Sequence, residues 1–165
     1  MIPDYANKAS LLKRANNQGI GSMFTKSHGY AVRALLKIAE LCDDPEKRVM
    51  ASELAEATGI PASFLSKVLQ QLTAAGLLDS ARGRNGGVRP AYSPDEITLF
   101  EVAKVTDNNP PVGDLPPGWE GANPEVQKSI AKHWAPYKLC MLEFLGETSI
   151  GTLLREVKGG KRIPV

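Results

Sequence analysis

The sequence has little of what metal-binding, disulfide-stabilised and membrane-spanning proteins need. It holds two cysteines and two histidines in 165 residues, too few cysteines for a disulfide framework or an all-cysteine metal site. No run of about 18 apolar residues occurs, so no segment is expected to cross a membrane. The N-terminus lacks the continuous apolar stretch of a signal peptide, which favours the cytoplasm. Because the net charge is only +2, any surface for nucleic acid must come from local clusters of basic residues.

Apolar residues recur at helical spacing in the segments between residues 24 and 76. In the first segment the spacings of four, three and four between Ala31, Leu35, Ile38 and Cys42 define one apolar helix face. A short second helix is expected to stop at Gly59, and a third is expected to run from Pro61 to Gly76. The third helix has a buried stripe and a polar outer face, with Phe64 at the border. The stripe is Leu65, Val68, Leu69 and Leu72, and the outer face is Ser63, Ser66, Lys67 and Gln70.

The second and third helices, joined around a glycine, form a helix-turn-helix candidate. Two strand-like runs, GLLDSAR and GVRPAY, flank the residues GRNG directly after it and predict a β-hairpin. This order predicts a winged helix-turn-helix, with the third helix in the major groove of DNA and the hairpin as the wing. The stretch ARGRNGGVRP holds three arginines and three glycines, which suits a tip lying against phosphates. A solvated basic turn is the alternative for this stretch.

The C-terminal part of the chain predicts four further features. Thr98 and Glu101 form a capping-box pattern, so a helix is expected near Leu99. Residues 107–124 are rich in proline and glycine and are expected to form a loop. A long helix should begin at Asn123 and Pro124, and Gly146 should end it before a final helix in TSIGTLLREV.

The long helix carries a seam of large apolar side chains. Its members alternate spacings of four and three, which suits a partner helix: Ile130, Trp134, Tyr137, Met141 and Phe144. Packing of this seam against the chain's own domain is the alternative that the pattern leaves open. Pro136 should kink the helix or split it into two pieces.

The predicted fold class is mainly α with a small β-hairpin, a winged helix-turn-helix domain followed by a C-terminal dimerisation helix. Five parts are expected along the chain. They are a polar extension (1–22), the winged helix-turn-helix (23–106), a Pro/Gly-rich loop (107–124), the dimerisation helix with the final short helix (125–157), and a basic tail (158–165).

Three stretches resemble the IscR/NsrR/CymR (Rrf) family of bacterial winged-helix regulators: FTKSHGYAVRALLKIAE, LAEATGIPASFLSKVLQQLTAAGLLDSARGRNGGVRPA and ITLFEVAK. The resemblance covers residues 24–106 and, more loosely, the region from Phe144 to Leu154. It implies a homodimeric transcription factor whose long C-terminal helix crosses to the other subunit. With the outer face of the third helix and the wing, it gives an expected set of DNA contacts. These are Lys26, Ser27, His28, Tyr30, Pro61, Ser63, Phe64, Ser66, Lys67, Arg82, Arg84, Asn85, Gly86 and Gly87.

The chain departs from this family at the position of its cofactor. Members that sense redox or nitric oxide hold an iron–sulfur cluster with three cysteines in the loop before the dimer helix, and residues 107–124 contain no cysteine. Because proline, aspartate and asparagine cannot replace thiolates, we expect no iron–sulfur cluster and no other cofactor. A cluster built from scattered cysteine and histidine, as in some divergent relatives, is the alternative. Cys42 is expected in the core and His133 in a packing or surface role, so a redox signal would have to act on Cys140.

The sequence therefore predicts a sequence-specific transcriptional regulator, acting as a repressor, that binds a pseudo-palindromic operator as a homodimer. Its expected partners are double-stranded DNA and a small-molecule or protein effector. The alternative is a winged-helix module for protein–protein interaction that has lost DNA binding. An enzyme is not expected, since neither histidine sits in a nucleophile or metal motif and no phosphate-binding glycine loop is present. Ser66 and Lys67 stand where several family members carry glutamate and glutamine, so the operator should differ from theirs.

Overall fold

The computed structural model describes residues 25–44, 46–83, 86–107, 112–116 and 118–159. Over these residues the chain forms six helices and one antiparallel hairpin. In chain order they are α1 (Lys26–Leu41), α2 (Ala51–Thr58), α3 (Ala62–Ala74), β1 (Leu78–Ala81), β2 (Gly87–Pro90), α4 (Leu99–Thr106), α5 (Pro124–Glu147) and α6 (Ile150–Gly159). The predicted extension (1–22), Arg84 and Asn85 lie outside the described residues. None of the helices in the described ranges is long and apolar enough to pass through a bilayer.

The core forms where the apolar faces of α1 and α3 meet, together with residues of α2, α4 and the hairpin. The two predicted stripes are confirmed: Ala31, Leu35 and Ile38 of α1 are buried, as are Leu65, Val68, Leu69 and Leu72 of α3. Each large buried side chain contributes roughly 1.5–3 kcal/mol by leaving water. Cys42, at the end of the α1 stripe, is half-buried against this core. Burial of these stripes fixes which side of α3 faces outward.

A short, well-anchored turn joins α2 to α3. Gly59 adopts φ +64°, the left-handed conformation that ends a helix and that glycine accepts most easily. The Thr58 hydroxyl donates to the Leu54 carbonyl at 2.7 Å and accepts from the N–H of Ile60 at 3.3 Å. The Arg33 guanidinium donates to the Thr58 carbonyl, and the Ile60 side chain is buried. The angle between the two helices of the motif is therefore set by buried contacts on both sides of the glycine.

The hairpin follows α3 directly, as predicted. Its register pairs Asp79 with Arg89 and Ser80 with Val88. Val49, just before α2, exchanges two backbone hydrogen bonds with Val88, each 2.9 Å long. The hairpin is thus tied both to the end of α3 and to the residue pair that precedes α2.

The C-terminal helices follow the predicted start signals. Thr98 and Glu101 form both hydrogen bonds of the capping box at α4, and the Asn123 side chain caps α5 ahead of Pro124. Helix α5 ends at Glu147, one residue beyond the predicted stop at Gly146, and α6 packs against α1. Helix α4 packs against α1, α3 and α5.

Helix α5 runs through Pro136 as one continuous helix of 24 residues. Pro136 was predicted to kink this helix or to split it; the split is wrong, and the kink stays a prediction. A proline removes one backbone hydrogen bond, to the carbonyl four residues earlier, which here belongs to Lys132. Both residues are exposed, so water can solvate the released carbonyl and the helix continues.

Candidate nucleic-acid interface

Helix α3 presents a polar outer face opposite its buried stripe. Ser63, Ser66, Lys67 and Gln70 are all exposed, as predicted. Phe64 is 57% exposed, so it belongs to this face rather than to the border of the core. Pro61 occupies the N-cap position, one residue earlier than predicted, and α3 has no acidic residue in its first turn. A phosphate approaching this end would meet the positive end of the helix dipole and no carboxylate from α3 itself.

The start of α1 lies beside the start of α3. The rings of Tyr30 and Phe64 are 5.9 Å apart between centroids and tilted by 57°, a favourable arrangement for two aromatics. Lys26 is exposed in the first turn of α1, while Ser27 and Tyr30 are half-buried. The Tyr30–Phe64 contact therefore joins two sets of predicted contact residues into one surface.

His28 does not belong to this surface. Its side chain is only 7% exposed, and Nδ1 lies 3.4 Å from the hydroxyl of Thr106 in α4. That hydroxyl donates its proton to the Val102 carbonyl at 3.0 Å, so Nδ1 of His28 is the donor in the longer contact. Burial lowers the pKa of His28, and the nearby Asp107 carboxylate partly opposes this shift. The prediction that His28 contacts DNA is wrong because the side chain extends the buried stripe of α1.

In the described part of the hairpin tip, an exposed arginine lies near two packed glycines. Arg82 is exposed, in agreement with the predicted wing tip, whereas Gly86 is buried and donates its N–H to the Gly83 carbonyl at 2.9 Å. A Cβ at Gly86 would lie 2.5 Å from the Ala81 carbonyl oxygen. The close packing of the turn accounts for Gly86 without any ligand, and its contact with DNA stays a prediction.

Gly87 has a structural role in the hairpin. It adopts φ +132°, and a Cβ there would lie 2.5 Å from the carbonyl oxygen of Val49. A side chain would thus separate β2 from the residues before α2. The close approach of the backbone to Val49 accounts for this glycine without any ligand, and its contact with DNA stays a prediction.

The third arginine of the glycine-rich stretch braces the hairpin from its base. Nε of Arg89 donates to Oδ2 of Asp79 at 3.1 Å, and Nη2 of Arg48 donates to the same oxygen at 2.7 Å. The Arg48 hydrogen bond is the main reason that the pKa of Asp79 lies below its usual range. Sequence reasoning missed this brace, although the predicted hairpin places Asp79 opposite Arg89 and could have indicated it.

The base of the hairpin also borders an acidic cavity of about 750 Å³, which Asp43, Asp44, Glu46 and Asp79 line together with Arg89. These carboxylates would repel a phosphate backbone. The surface suited to nucleic acid is therefore the starts of α1 and α3 together with the exposed Arg82, and not the hairpin base.

The predicted seam of α5 divides into two faces. Trp134 and Met141 pack against the chain's own core, and Nε1 of Trp134 donates to the Gly113 carbonyl at 3.0 Å. Ile130 is half-buried. Tyr137 and Phe144 remain 62% and 54% exposed. The prediction of one seam facing a partner is wrong for Trp134 and Met141, because the helix rotates these two side chains towards α4 and the loop before α5.

The exposed side of α5 carries its own regular stripe. Its five members are spaced by seven, four, three and four residues, which places them on one helix face. They are Val126, His133, Tyr137, Cys140 and Phe144, all exposed. We call this set the α5 stripe. It includes two residues of the predicted seam, Tyr137 and Phe144. It also includes His133 and Cys140, which the predicted seam does not contain.

The chain is similar to transcriptional regulators in sequence and in fold. A family model, "Rrf2: Iron-dependent Transcriptional regulator", matches residues 24–156. Protein aau3 of Rhizobium meliloti is 48% identical over 85 residues, covering 52% of this chain and 53% of the relative. The HTH-type transcriptional regulator NsrR of Geobacillus kaustophilus is 38% identical over 80 residues, covering 48% of this chain and 53% of the relative. The matched stretch thus spans about half the length of each relative.

Two solved structures share the fold over most of their length. CymR (YrzC), the global cysteine regulator of B. subtilis, superposes with a TM-score of 0.66 at 19% identity, covering 81% of this chain and 97% of CymR. T. potens IscR gives a TM-score of 0.66 at 23% identity, covering 90% of this chain and 96% of IscR. The predicted fold, a winged helix-turn-helix with a C-terminal helix, is confirmed by these likenesses.

Proposed function

The chain belongs to the Rrf2 family of transcriptional regulators, and from this premise we propose that it binds an operator sequence-specifically and represses transcription from it. The observation that carries the proposal is the Tyr30–Phe64 contact, which joins the start of α1 to the outer face of α3. In a helix-turn-helix the second helix lies in the major groove, and its N-terminal residues contact base edges. Ser63, Phe64, Ser66 and Lys67 occupy those positions in α3, and Lys26 stands beside them for the phosphate backbone.

A salt series on DNA tests this proposal most directly. Fluorescence anisotropy with the promoter of the protein's own gene should give an affinity that falls steeply with salt, because binding releases counterions from the phosphates. Lys67→Ala should weaken binding and reduce the salt slope by about one if Lys67 contacts a phosphate. Lys128→Ala, an equal loss of charge at an exposed position near the start of α5, is the matched control and should leave the slope unchanged.

The competing function is a protein–protein module built on the same surface. The exposed ring of Phe64 would also serve a protein partner, because aromatic side chains are frequent at the centre of interfaces. If the wild-type protein shows no salt-dependent binding to DNA even at low salt, the regulator proposal fails and this alternative takes its place.

We propose that two copies of the chain pair through the α5 stripe. One helix-turn-helix contacts only a few base pairs, and two of them on one face of the duplex read a pseudo-palindromic site. The exposed rings of Tyr137 and Phe144 supply the side chains that contribute most to interface energies. A C₂ axis beside the α5 stripe would bring the same residues of both subunits together.

The residues present do not fit an iron–sulfur cluster, although the family model is described as iron-dependent. The chain has two cysteines, and none lies in residues 107–124. Over the part of the chain that the structure describes, no three histidine, cysteine or carboxylate side chains group closely enough to hold a metal ion. Cys42 is half-buried in the fold, with a pKa that burial raises, and thiolate is the form that binds iron.

We therefore propose a regulator without a cluster, which responds to a small-molecule or protein effector and works in the bacterial cytoplasm without catalysing a reaction. Protein purified anaerobically should contain no stoichiometric iron or sulfide and show no visible absorption band. Iron analysis and an absorption spectrum check this. A brown protein with about two or more irons per chain, the content of a cluster, would overturn it.

A further inference from the structure

Asp107 ends α4, and its side chain contacts the start of α1. Oδ1 of Asp107 accepts a hydrogen bond of 2.5 Å from the hydroxyl of Thr25, a residue 82 positions away in sequence. Thr25 is the N-cap of α1, and the same hydroxyl accepts from the N–H of His28 at 3.2 Å. The cap of α1 is therefore held by a residue of another helix.

The electrostatics of this contact favour α1 at the expense of α4. A carboxylate at the C-terminus of a helix faces the negative end of that helix's dipole, so Asp107 is unfavourable for α4. At the N-terminus of α1 the same charge faces the positive end of the dipole. Helix α1 has no acidic residue in its own first turn, and Asp107 supplies one from α4.

Asp107 also has a desolvation cost that its hydrogen bond with Thr25 only partly offsets. Its second oxygen, Oδ2, is buried and makes no hydrogen bond with any described residue. A buried carboxylate oxygen without a partner is unfavourable. Asp107 is thus unfavourable for stability in two respects, and its favourable effect is to fix the first turn of α1.

That first turn carries part of the proposed DNA surface. Lys26 and Ser27 follow Thr25 directly, and Tyr30, one turn on, contacts Phe64. Resting on the proposed function, we propose that Asp107 is a positioning residue for DNA binding, which holds the start of α1 in place for contact with the operator through the cap Thr25. It does so without touching DNA itself.

The remainder of α1 does not depend on this contact. Ala31, Ala34, Leu35 and Ile38 bury the helix against the core from its second turn onward. Loss of the Asp107–Thr25 contact should therefore loosen the first turn and leave the fold intact. Asp107→Ala, which removes the acceptor that an asparagine would keep, should weaken operator binding by about 2- to 30-fold, the range that corresponds to loss of a helix cap.

The experiment compares single and double variants in operator titrations at fixed salt, with thermal unfolding as a check on the fold. Asp107→Ala and Thr25→Val should each weaken binding. Together they should weaken it by no more than Thr25→Val alone, because Thr25→Val already removes the contact with Asp107 as well as the cap bond from the N–H of His28. Thr25→Ser retains the hydroxyl and should bind with nearly the wild-type affinity. Asp114→Ala is the control for charge, since it removes a carboxylate from the same connecting segment, where that carboxylate pairs with Lys138.

Each outcome decides the inference. Affinity of Asp107→Ala equal to that of Asp114→Ala would overturn it, and so would additive effects of Asp107→Ala and Thr25→Val. Tighter binding by Asp107→Ala would also overturn it, because the carboxylate would then be competing with phosphate. If the wild-type chain binds no DNA, the proposed function fails as well, whereas normal binding by wild type and by Asp107→Ala removes this inference alone.

Discussion

Helices α3 and α5 both expose large aromatic rings, but the exposed residues around these rings differ in polarity between the two helices. Around Phe64 the outer face of α3 carries serine, lysine and glutamine, and the helix buries four apolar residues on its other side. Around Tyr137 and Phe144 the exposed stripe of α5 carries valine, histidine and cysteine, and Leu145 is the one fully buried residue over its 24 positions.

The difference indicates what each surface is for. A polar and cationic face is stable in water and suits phosphates and base edges, so α3 needs no partner in order to fold. A long helix with little burial gains most of its stability from packing, and an apolar stripe left in water contributes none. This contrast supports the proposed pairing of two copies of the chain through the α5 stripe.

The largest expected effect comes from placing charge on the α5 stripe. Tyr137→Glu together with Phe144→Glu should give a soluble monomer, because both side chains are exposed in the single chain and adjacent charges would oppose pairing. Operator affinity should fall by about 10²- to 10⁴-fold, as expected when two linked binding sites are separated. Sedimentation velocity and anisotropy measure the two effects.

Leu139→Glu is the matched control, since Leu139 is 59% exposed and lies about 160° around α5 from Tyr137. It should stay dimeric and bind normally. Dimerisation of the double variant at the wild-type concentration would show that the interface lies elsewhere and that the comparison between α3 and α5 fails.

Removal of an arginine from the hairpin tip tests the surface that we propose to contact DNA. Arg82→Ala should weaken operator binding by about 1–3 kcal/mol if the side chain contacts a base, whereas loss of a phosphate contact should lower affinity for all sequences and reduce the salt slope by about one. The same holds for Arg84→Ala. Titrations against operator and unrelated DNA distinguish the two cases.

Arg155→Ala is the control for charge on this prediction, because Arg155 is an exposed arginine of α6 paired with Asp95. It should leave the affinity unchanged. If neither hairpin variant differs from this control, the tip does not contact DNA.

The two histidines differ in burial, and this difference can be tested through the pH dependence of the unfolding free energy. His28 is buried beneath the start of α1 with a lowered pKa, and His133 is exposed on α5. As pH falls through the unfolded-state pKa of about 6.5, the unfolded chain takes up a proton at His28 before the folded chain does. His28 therefore contributes a loss of stability below about pH 6.5, and this loss stops growing once the folded-state pKa is passed.

Urea unfolding at pH 8 and pH 5.5 checks this expectation. The loss of unfolding free energy on acidification should be smaller in His28→Gln than in wild type, and His133→Gln should match wild type. Equal losses in all three proteins would contradict the buried position of His28.

The smallest effect concerns the two thiols. Cys140 lies on the α5 stripe, while Cys42 is half-buried and burial raises its pKa. In the monomeric Tyr137/Phe144 variant a maleimide should label Cys140 well before Cys42. In the wild-type protein, the proposed pairing through the α5 stripe should slow the labelling of Cys140. Peptide mass spectrometry gives both rates, and a rate at Cys140 that is equal in variant and wild type would place this thiol outside the interface.

Periodicity and end signals predicted most of the helical fold. The stripes of α1 and α3, the left-handed Gly59 and the capping box at Thr98 each depend on residues within a few positions of one another, so sequence alone could find them. The burial of His28 could have been predicted in the same way, because His28 precedes Ala31 by three residues and continues the spacing of the stripe.

Other features depend on contacts between distant segments and left no local pattern. The spacing of Trp134, Tyr137 and Met141 fits a seam, but the rotation that buries Trp134 is set by α4 and by the Gly113 carbonyl. The contact of Asp107 with Thr25 joins two helix ends with no shared motif. Arg82 and Lys67 were predicted as contacts from residue type, and the fold places both in solvent.

The pairing of Val49 with Val88 gives the helix-turn-helix an unusual connectivity. Helices α2 and α3 and strand β1 all lie between these two residues in sequence. The hydrogen bonds between Val49 and Val88 therefore close the helix-turn-helix and the hairpin into a ring. A ring held at its ends cannot fray from either side, since opening it requires the hairpin to detach. In native-state hydrogen exchange, the amides of Val49 and Val88 should therefore open together with those of α3. We expect α3 and the hairpin to bind the operator as one cooperatively folded unit.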